Sequence, residues 1–194
     1  MVYLSMTLPI RDIAFQLRQG QLIALADETG WSIAADPVNE KAIGQLIALM
    51  PFMATGLQPT VLIEKTDQLG LYVAKLPDVA YDLVDFAEDP LIVVYDQGKN
   101  VSSVVWQSAA KLAAGSAETP VNEQLAVRRS LSTDVQRLIG SFGRGLLTIP
   151  FESLSLPGSV ESLITIRFGT LPAMPKRPRI LRLKVNGEVS FIRK

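Results

Sequence analysis

The chain has 194 residues, of which 48% are hydrophobic and 20% are charged, and 19 Lys and Arg balance 19 Asp and Glu. This composition is typical of a globular chain with enough apolar material for a core, and it excludes a disordered polypeptide. The absence of Cys and His excludes a disulfide, a thiolate nucleophile, a Cys/His zinc site and a histidine base. Proton transfer would therefore use carboxylates, Lys or Tyr, and a metal would be a hard cation such as Mg²⁺.

The first half predicts helices that alternate with strands. An amphipathic helix follows Pro9 and stops at Gly20, and a buried strand lies at 21–25. A polar turn then leads to a helix over 39–50, with Asn39 as its cap. The elements that follow are strands at 60–64 and 71–75, a helix over 77–89, and a wholly apolar strand at 91–95 that indicates a central position.

Two of these helices carry an apolar stripe that should face a core. In the first helix the stripe consists of Ile10, Ile13, Phe15 and Leu17. In the helix over 77–89 it consists of Val79, Leu83 and Phe86.

The second half ends in the clearest pattern of the chain. Residues 101–115 fit a strand or a helix, and 117–124 reads as a loop. A strand at 125–129, a helix over 132–143 and a strand at 146–149 follow. In the last fifteen residues, apolar and charged residues alternate on both sides of Asn186-Gly187, which predicts a hairpin with a type I′ turn. Together these elements predict a single α/β domain over 1–194 with a mixed, largely buried sheet.

One uncharged segment is long enough to cross a bilayer. Residues 42–63 contain no charge over 22 positions, but they include two Gln, two Pro and two Gly. This composition favours a helix end, a loop and a buried strand. The N-terminus also lacks the basic and apolar regions of a signal peptide, so we expect no membrane association and a cytoplasmic location.

Charge is unevenly placed along the chain. Residues 1–100 contain 6 Lys and Arg against 13 Asp and Glu, and residues 101–194 contain 13 against 6. Either the two halves interleave in space and their charges pair, or the second half forms a basic face that meets phosphate.

Three stretches are candidates for a functional site. Asp27 and Glu28 follow the first strand at its carboxyl edge, where they either hold Mg²⁺ or an ammonium group or are ordinary turn acids. Trp31 either stacks on a base or packs under a loop. The stretch GSFGRG at 140–145 follows a helix, so a helix cap is favoured over an anion-binding loop.

Basic residues concentrate near the C-terminus. Lys176, Arg177 and Arg179 belong to the stretch KRPR, and further cations alternate along the hairpin. They would either bind RNA phosphates or protect the edge of the sheet from association with another sheet.

The stretch QLIALADETGWSIAADPVNEKAIGQLIALM resembles the opening of the YrdC-like family, the threonylcarbamoyl-AMP synthases. Trp31 matches the family's aromatic residue, Asp36-Pro37 its Asp-Pro pair, and residues 39–42 the entry to its first site helix. Further along, LAVRR, GRGLLT and SLSLPG are similar to the family's later motifs, and SVESLITIRFG is similar to the helix that follows them. The resemblance extends over nearly the whole chain.

The resemblance implies a twisted open mixed sheet with flanking helices and a concave groove. It implies a family activity that condenses threonine, bicarbonate and ATP, with Mg²⁺, into threonylcarbamoyl-AMP and releases pyrophosphate. The product is used for threonylcarbamoyl-adenosine modification of tRNA, and family members are also described as binding RNA.

The chain departs from the family at most of the motif positions. Met50 and Phe52 stand where the family has two cations, Asp27 replaces a hydroxyl residue, and Glu152 replaces an Asn. Only Arg128, Arg144 and Thr148 keep the family's residue chemistry. Because each charge-assisted bond to a phosphate contributes about 1.5–3 kcal/mol, these losses predict an impaired synthase.

Three functional hypotheses follow from the sequence. The first is a catalytically impaired domain that binds RNA or a nucleotide, with Arg128, Arg129 and Arg144 beside the groove and the C-terminal cations nearby. The second is an active ATP-dependent synthase with a rearranged site, in which Asp27 or Glu28 holds Mg²⁺. The third is a subunit that docks on a protein partner through the apolar loop over 50–56.

Overall fold

A mixed β-sheet forms the framework of the computed structural model, which describes residues 8–113 and 123–194. The strands are β1 (Ile23–Asp27), β2 (Gly30–Ala35), β3 (Thr60–Ile63), β4 (Leu91–Tyr95), β5 (Leu125–Arg129), β6 (Leu146–Pro150), β7 (Ile166–Gly169), β8 (Arg179–Leu183) and β9 (Val189–Arg193). Their order in the sheet is β7-β1-β2-β6-β3-β5-β4-β8-β9. Parallel pairs (β1 with β7, β3 with β5, β4 with β8) combine with antiparallel ones, so the predicted mixed α/β sheet is confirmed.

Helices cover both faces of this sheet. They are α1 (Ile10–Arg18), α2 (Glu40–Ile47), α3 (Leu69–Tyr72), α4 (Val79–Asp85), α5 (Ser103–Ala113), α6 (Thr133–Phe142) and α7 (Gly158–Glu161). On one face α1 and α6 pack together over β1, β2, β3 and β6. The apolar residues of the other helices join the larger core on the opposite face.

The predicted helix starts and stops are confirmed at two helices. The side chain of Asn39 accepts a hydrogen bond from the backbone N–H of Ala42 at 3.0 Å and begins α2. Ser132 caps α6, and Gly143 ends it in the left-handed conformation, with φ of 92°. The glycine-rich stretch therefore terminates a helix.

Three secondary-structure predictions are corrected by the structure, and one undecided segment is assigned. The strand predicted at 71–75 does not form: residues 71 and 72 end α3, in which Leu69 and Tyr72 bury their side chains at the i, i+3 spacing of a helix, and Val73 makes only an isolated bridge to Gly98. The polar turn after β1 is only the short reversal at Asp27–Gly30, since β2 follows at once. The helix expected from the family resemblance over 159–169 is limited to α7, and β-branched residues form β7 instead. The undecided segment 101–115 contains α5.

The hairpin at the C-terminus is confirmed, but its turn is not type I′. A type I′ turn needs positive φ at both central residues, and of Asn186 and Gly187 only Gly187 has it, with φ of 86°. The Gly187 N–H donates to the Lys184 carbonyl, and the Lys184 N–H donates to the Glu188 carbonyl. This is the three-residue hairpin loop, in which a turn is followed by a left-handed glycine.

Three residues of the predicted apolar stripes lie at the surface, namely Phe15, Val79 and Phe86. Phe86 follows α4 and is 80% exposed, and Phe15 in α1 is 54% exposed. The helical period places Ile13 and Leu17 against the core, and Phe15 falls between them on the outer side. The expected loop at 117–124 lies almost wholly outside the described residues.

The sheet is strongly curved. β7 and β8 lie seven places apart, which would separate them by ~34 Å in a flat sheet. The connection from Gly169 to Arg179 spans at most ~36 Å even when fully extended, and it contains bends. Curvature must therefore bring the two ends of the sheet together, and residues 170–178, here called the strap, cross between them.

Candidate functional site

The strap crosses near an ion cluster at the end of β1. Asp27 is the last residue of β1, Glu28 follows it, and Arg128 projects from β5. One guanidinium nitrogen of Arg128 binds Oδ2 of Asp27, and the other lies 2.5 Å from Oε1 of Glu28. Because β1 and β5 lie four places apart, ~19 Å in a flat sheet, this contact exists only in a curved one.

The Arg128 side chain is only 5% exposed. Burial by itself would lower the pKa of Arg128, but Coulombic attraction and hydrogen bonds from Asp27 and Glu28 outweigh it, so that its pKa is raised above the ordinary value. Arg128 is therefore a permanent cation whose two ends are already occupied by carboxylates of the same chain.

The two carboxylates are also held by neighbouring groups. Oδ1 of Asp27 accepts hydrogen bonds from the backbone and the hydroxyl of Thr29 at 2.8 and 2.7 Å. Oε1 of Glu28 accepts from the backbone N–H of Leu131 at 3.1 Å, and the Glu28 carbonyl accepts from the N–H of Lys176 in the strap. The cluster therefore links β1, β5 and the strap.

The other candidate residues do not join this cluster. Arg144 binds Asp36 at 2.8 Å, and Thr148 is buried, with its hydroxyl donating to the carbonyl of Thr60 at 2.8 Å. Trp31 packs in the larger core on the opposite face of the sheet, and its indole N–H donates to the Leu154 carbonyl at 3.1 Å. Of the two alternatives for Trp31, the structure therefore shows packing under a loop, the one that follows β6.

An ion pair that the sequence did not predict closes the strap. Glu152 adopts a left-handed backbone with φ of 52°, and both of its carboxylate oxygens bind the guanidinium of Arg193, at 2.6 and 3.1 Å. The same guanidinium donates to the Pro178 carbonyl at 2.6 and 2.9 Å. Glu152 is visible in the sequence as a departure from the family, but its partner lies 41 residues away and carries no motif.

The RNA-binding candidates differ in how exposed they are. Arg129 is partly buried and donates to the backbone carbonyls of Asp85 and Ala87. Lys176 binds Asp89 at 3.1 Å, and Arg177 lies 3.9 Å from Glu152. Arg179 is exposed, and no carboxylate of the described residues lies within 4 Å of it.

Comparison with known proteins identifies the family. The Sua5/YciO/YrdC family model, described as "Telomere recombination", matches residues 16–162. The chain belongs to the Sua5/YciO/YrdC family. The resemblance read from the sequence is thereby confirmed. No curated protein sequence matches the chain significantly.

Several solved structures share the fold at low sequence identity. E. coli YciO is 16% identical with a TM-score of 0.71, over 95% of this chain and 88% of its own. P. abyssi Sua5 complexed with L-threonine is 18% identical with a TM-score of 0.68, over 90% of this chain and 50% of its own. Full-length HypF in a phosphate- and nucleotide-bound form is 12% identical with a TM-score of 0.64, over 94% of this chain and 28% of its own. The chain thus spans about half the length of Sua5.

Ion pairs in this Sua5/YciO/YrdC domain join the acidic and the basic halves of the chain. Arg128 binds two acids of the first half, Arg144 binds Asp36, and Arg182 binds Asp96 at 2.9 Å. The interleaved interpretation of the charge distribution therefore accounts for several of the second-half cations. Within the described part of the chain, no three acidic side chains form a metal-binding group, and no helix is long and apolar enough for a membrane span.

The loop over 50–56 begins with a 3-10 helix at Met50–Phe52. Met50 and Met53 pack partly against the larger core, whereas Phe52 is 45% exposed. Apolar side chains thus occupy the positions at which the family resemblance implies cations.

Proposed function

We propose that the chain is a YrdC-like domain that has lost the ordinary threonylcarbamoyl-AMP synthase reaction and binds RNA. The observation that carries the first part is the occupation of Arg128 by Asp27 and Glu28. A substrate phosphate or carboxylate would have to displace these two acids and leave them buried without a counter-ion. Removing one partner from a buried pair costs about 3–5 kcal/mol, which exceeds the roughly 1.5–3 kcal/mol gained from a new charge-assisted contact.

The ligands of the relatives define the assay. P. abyssi Sua5 binds L-threonine, and HypF has a phosphate- and nucleotide-bound form. The purified chain is mixed with ATP, threonine, bicarbonate and Mg²⁺, and pyrophosphate release is measured against a sample without protein. We expect no release above this background. Release that requires threonine and disappears in Asp27→Ala would instead establish an active synthase with a rearranged site.

Two exposed cations, Arg177 in the strap and Arg179 at the start of β8, support the RNA-binding part of the proposal. Arg177 is 74% exposed, and Arg179 beside it is exposed as well. Two such side chains neutralise about two phosphates, which predicts weak binding whose log K falls with log salt at a slope of about −1.4 to −1.8. This surface does not include Arg128, so the proposed RNA binding and the proposed loss of the synthase reaction rest on different residues.

An RNA titration at several salt concentrations tests this surface. We expect that Arg177→Gln and Arg179→Gln together weaken binding and reduce the slope of log K against log salt by about 1.4 to 1.8. Arg11→Gln is the matched control, because Arg11 is 92% exposed on α1 at a distance from the strap in sequence. Binding that does not depend on salt, or an equal loss in the control, would contradict the proposal.

Docking on a protein partner is a second candidate function, favoured by the exposure of Phe52 next to two partly buried methionines. A hetero-complex formed through this loop should be lost in Phe52→Lys. It should survive in Phe15→Lys, which is the matched control because the two residues are similarly exposed. A monodisperse chain that co-purifies with no stoichiometric partner from its native source would contradict this candidate.

A further inference from the structure

Within the described part of the chain, no strand pairs with the outer edge of β9. β9 is the last strand in the order. Val189–Ile192 carry no charge, and Phe191 and Ile192 are 56% and 57% exposed. Edge strands of monomers usually carry charges or Pro that prevent pairing. Here three cations of the hairpin are already bound by carboxylates of the same chain: Arg182 by Asp96, Lys184 by Glu188 and Arg193 by Glu152.

An apolar groove lies beside this edge. It has a volume of about 390 Å³ and lies between α4 and the hairpin, with Val79, Leu83, Phe86, Leu181 and Phe191 among its lining residues. The 80% exposure of Phe86 is exceptional for a side chain of this size. The edge and the groove form one apolar surface. Removing such a surface from water lowers the free energy.

The backbone of β9 presents its free hydrogen-bonding groups at two positions. The Lys184 N–H donates to the Glu188 carbonyl, so Glu188 is turned toward β8. In an antiparallel ladder the orientation alternates along the strand, and Leu183 pairs with Val189 and Leu181 with Phe191. The N–H and C=O groups of Val189 and Phe191 therefore point away from β8, toward the open edge.

We propose that two copies of the chain join edge to edge through β9, antiparallel, about a two-fold axis at Ser190. In this register Val189 of one copy lies opposite Phe191 of the other, so the outward groups of both strands pair. Both side chains lie on the side of the sheet that carries the groove, where they cover apolar surface of the second copy. The register shift between Ile180 and Leu181 falls beyond Phe191 and marks where this ladder ends.

Charge along the strand selects the antiparallel arrangement. Glu188 directly precedes β9 and Lys194 directly follows it, whereas Arg193 is already bound by Glu152 of its own chain. An antiparallel pair places the acidic start of one strand beside the basic end of the other, whereas a parallel pair would place like charges together. The surface is thus complementary to itself, which is the requirement for a closed two-fold dimer.

A single introduced thiol tests the axis directly. The chain contains no Cys, so Ser190→Cys has one thiol. On the two-fold axis Ser190 faces its own copy in a non-hydrogen-bonded pair, with Cα atoms ~4.5 Å apart, which is within the range of a disulfide. In buffers containing oxidised glutathione, we expect Ser190→Cys to form a disulfide-linked dimer at least about tenfold faster than Ser162→Cys, the exposed control. Equal rates would overturn the proposal.

The mass in solution provides a second, independent measurement. Light scattering over a concentration series should show the wild-type chain approaching twice the monomer mass, and Phe191→Lys remaining at the monomer mass. Phe15→Lys, equally exposed on α1, should behave as wild type, and circular dichroism should show both variants folded. A wild-type monomer at all concentrations, masses that grow beyond two copies, or dissociation by Phe52→Lys instead of Phe191→Lys would overturn the proposal.

Discussion

Arg128 lies near the end of β5. Without an acid near it, its guanidinium would face the concave groove that the family resemblance implies. Asp27 and Glu28 bind it from β1 and its following turn, and no water-accessible face of the guanidinium of any size remains. At the scale of the single residue, Asp27, which replaces a hydroxyl residue of the family, and Glu28 make Arg128 part of the internal structure.

Replacing Arg128 by Ala should strongly destabilise the fold. It leaves two carboxylates without their counter-ion, and loss of one partner from a buried pair costs about 3–5 kcal/mol. Urea unfolding would measure the free-energy difference. In the control Arg137→Ala, the Arg is 68% exposed and lies 4.0 Å from Asp134, and the expected change is below about 0.5 kcal/mol. Equal effects of the two variants would contradict the assignment of Arg128 to a buried network.

Buried tyrosines should make the fold sensitive to alkaline pH. Burial raises the pKa of Tyr72 to about 12, and burial also raises the pKa of Tyr95. The unfolded chain loses these protons near pH 10, so the native state holds more protons above that pH and its stability falls as pH rises. For Tyr72 the contribution is fully present below pH 10 and is lost by about pH 12.

The expected loss from Tyr72 is about 2–3 kcal/mol across this window. Urea unfolding at several pH values from 9 to 12 should show a smaller loss of stability in Tyr72→Phe than in the wild type. Tyr81→Phe removes an exposed hydroxyl and is the matched control. A Tyr72→Phe variant with the same pH dependence as the wild type would contradict the prediction.

At the scale of the element, close backbone contacts determine where β7 can form. Gly169 ends β7 with φ of 93°, and a Cβ at this position would lie 2.0 Å from the carbonyl oxygen of Ala26 in β1. The tight approach explains why this strand, whose burial alternates between half-buried and exposed, stays paired with β1. The family resemblance, which predicted a helix over 159–169, gave no indication of this contact.

Gly169→Ala should lower the free energy of unfolding by more than about 2 kcal/mol, since it combines backbone strain with a clash. Gly158→Ala is the control, because no heavy atom lies within 4 Å of a Cβ there and φ is not positive. The control should change stability by less than about 1 kcal/mol. Thermal or urea unfolding distinguishes the two, and a neutral Gly169→Ala would show that the contact can relax.

At the scale of the whole molecule, the strap holds the curved sheet together. It is bound to the turn after β1 through Lys176 and to the end of β6 through Arg193 and Glu152. Strands that lie far apart in the sheet order are connected by these contacts. The curvature of the sheet therefore depends on a few polar contacts as well as on strand twist.

Arg193→Gln should loosen the strap without unfolding the chain. Each charge-assisted bond contributes about 1.5–3 kcal/mol, so losing this one should speed hydrogen exchange at the Lys176 amide by at least about tenfold. Arg179→Gln is the control. Arg179 lies next to the strap, and its side chain makes no hydrogen bond to the described residues. Unchanged exchange in Arg193→Gln would show that the strap is held by its other contacts.

Much of the fold was predictable from local patterns. The apolar runs gave β1, β3, β4, β5 and β6, the capping residues gave α2 and α6, and alternation gave the hairpin. The errors fall on short segments, where one turn of helix and one strand have similar apolar content. For the site, the sequence identified Asp27, Glu28 and Arg128 separately, but it could not show that they bind one another.

The sequence by itself determined the family, the alternation of strands and helices, and the loss of the cations at Met50 and Phe52. These are properties of short stretches, in which residue type and spacing carry the information. The tertiary structure decided the partner of each charge, because Arg128 with Asp27 and Arg193 with Glu152 meet only after the sheet curves. It also decided which apolar residues stay in water, since the exposure of Phe86 and Phe191 depends on what packs above them and on which strand ends the sheet.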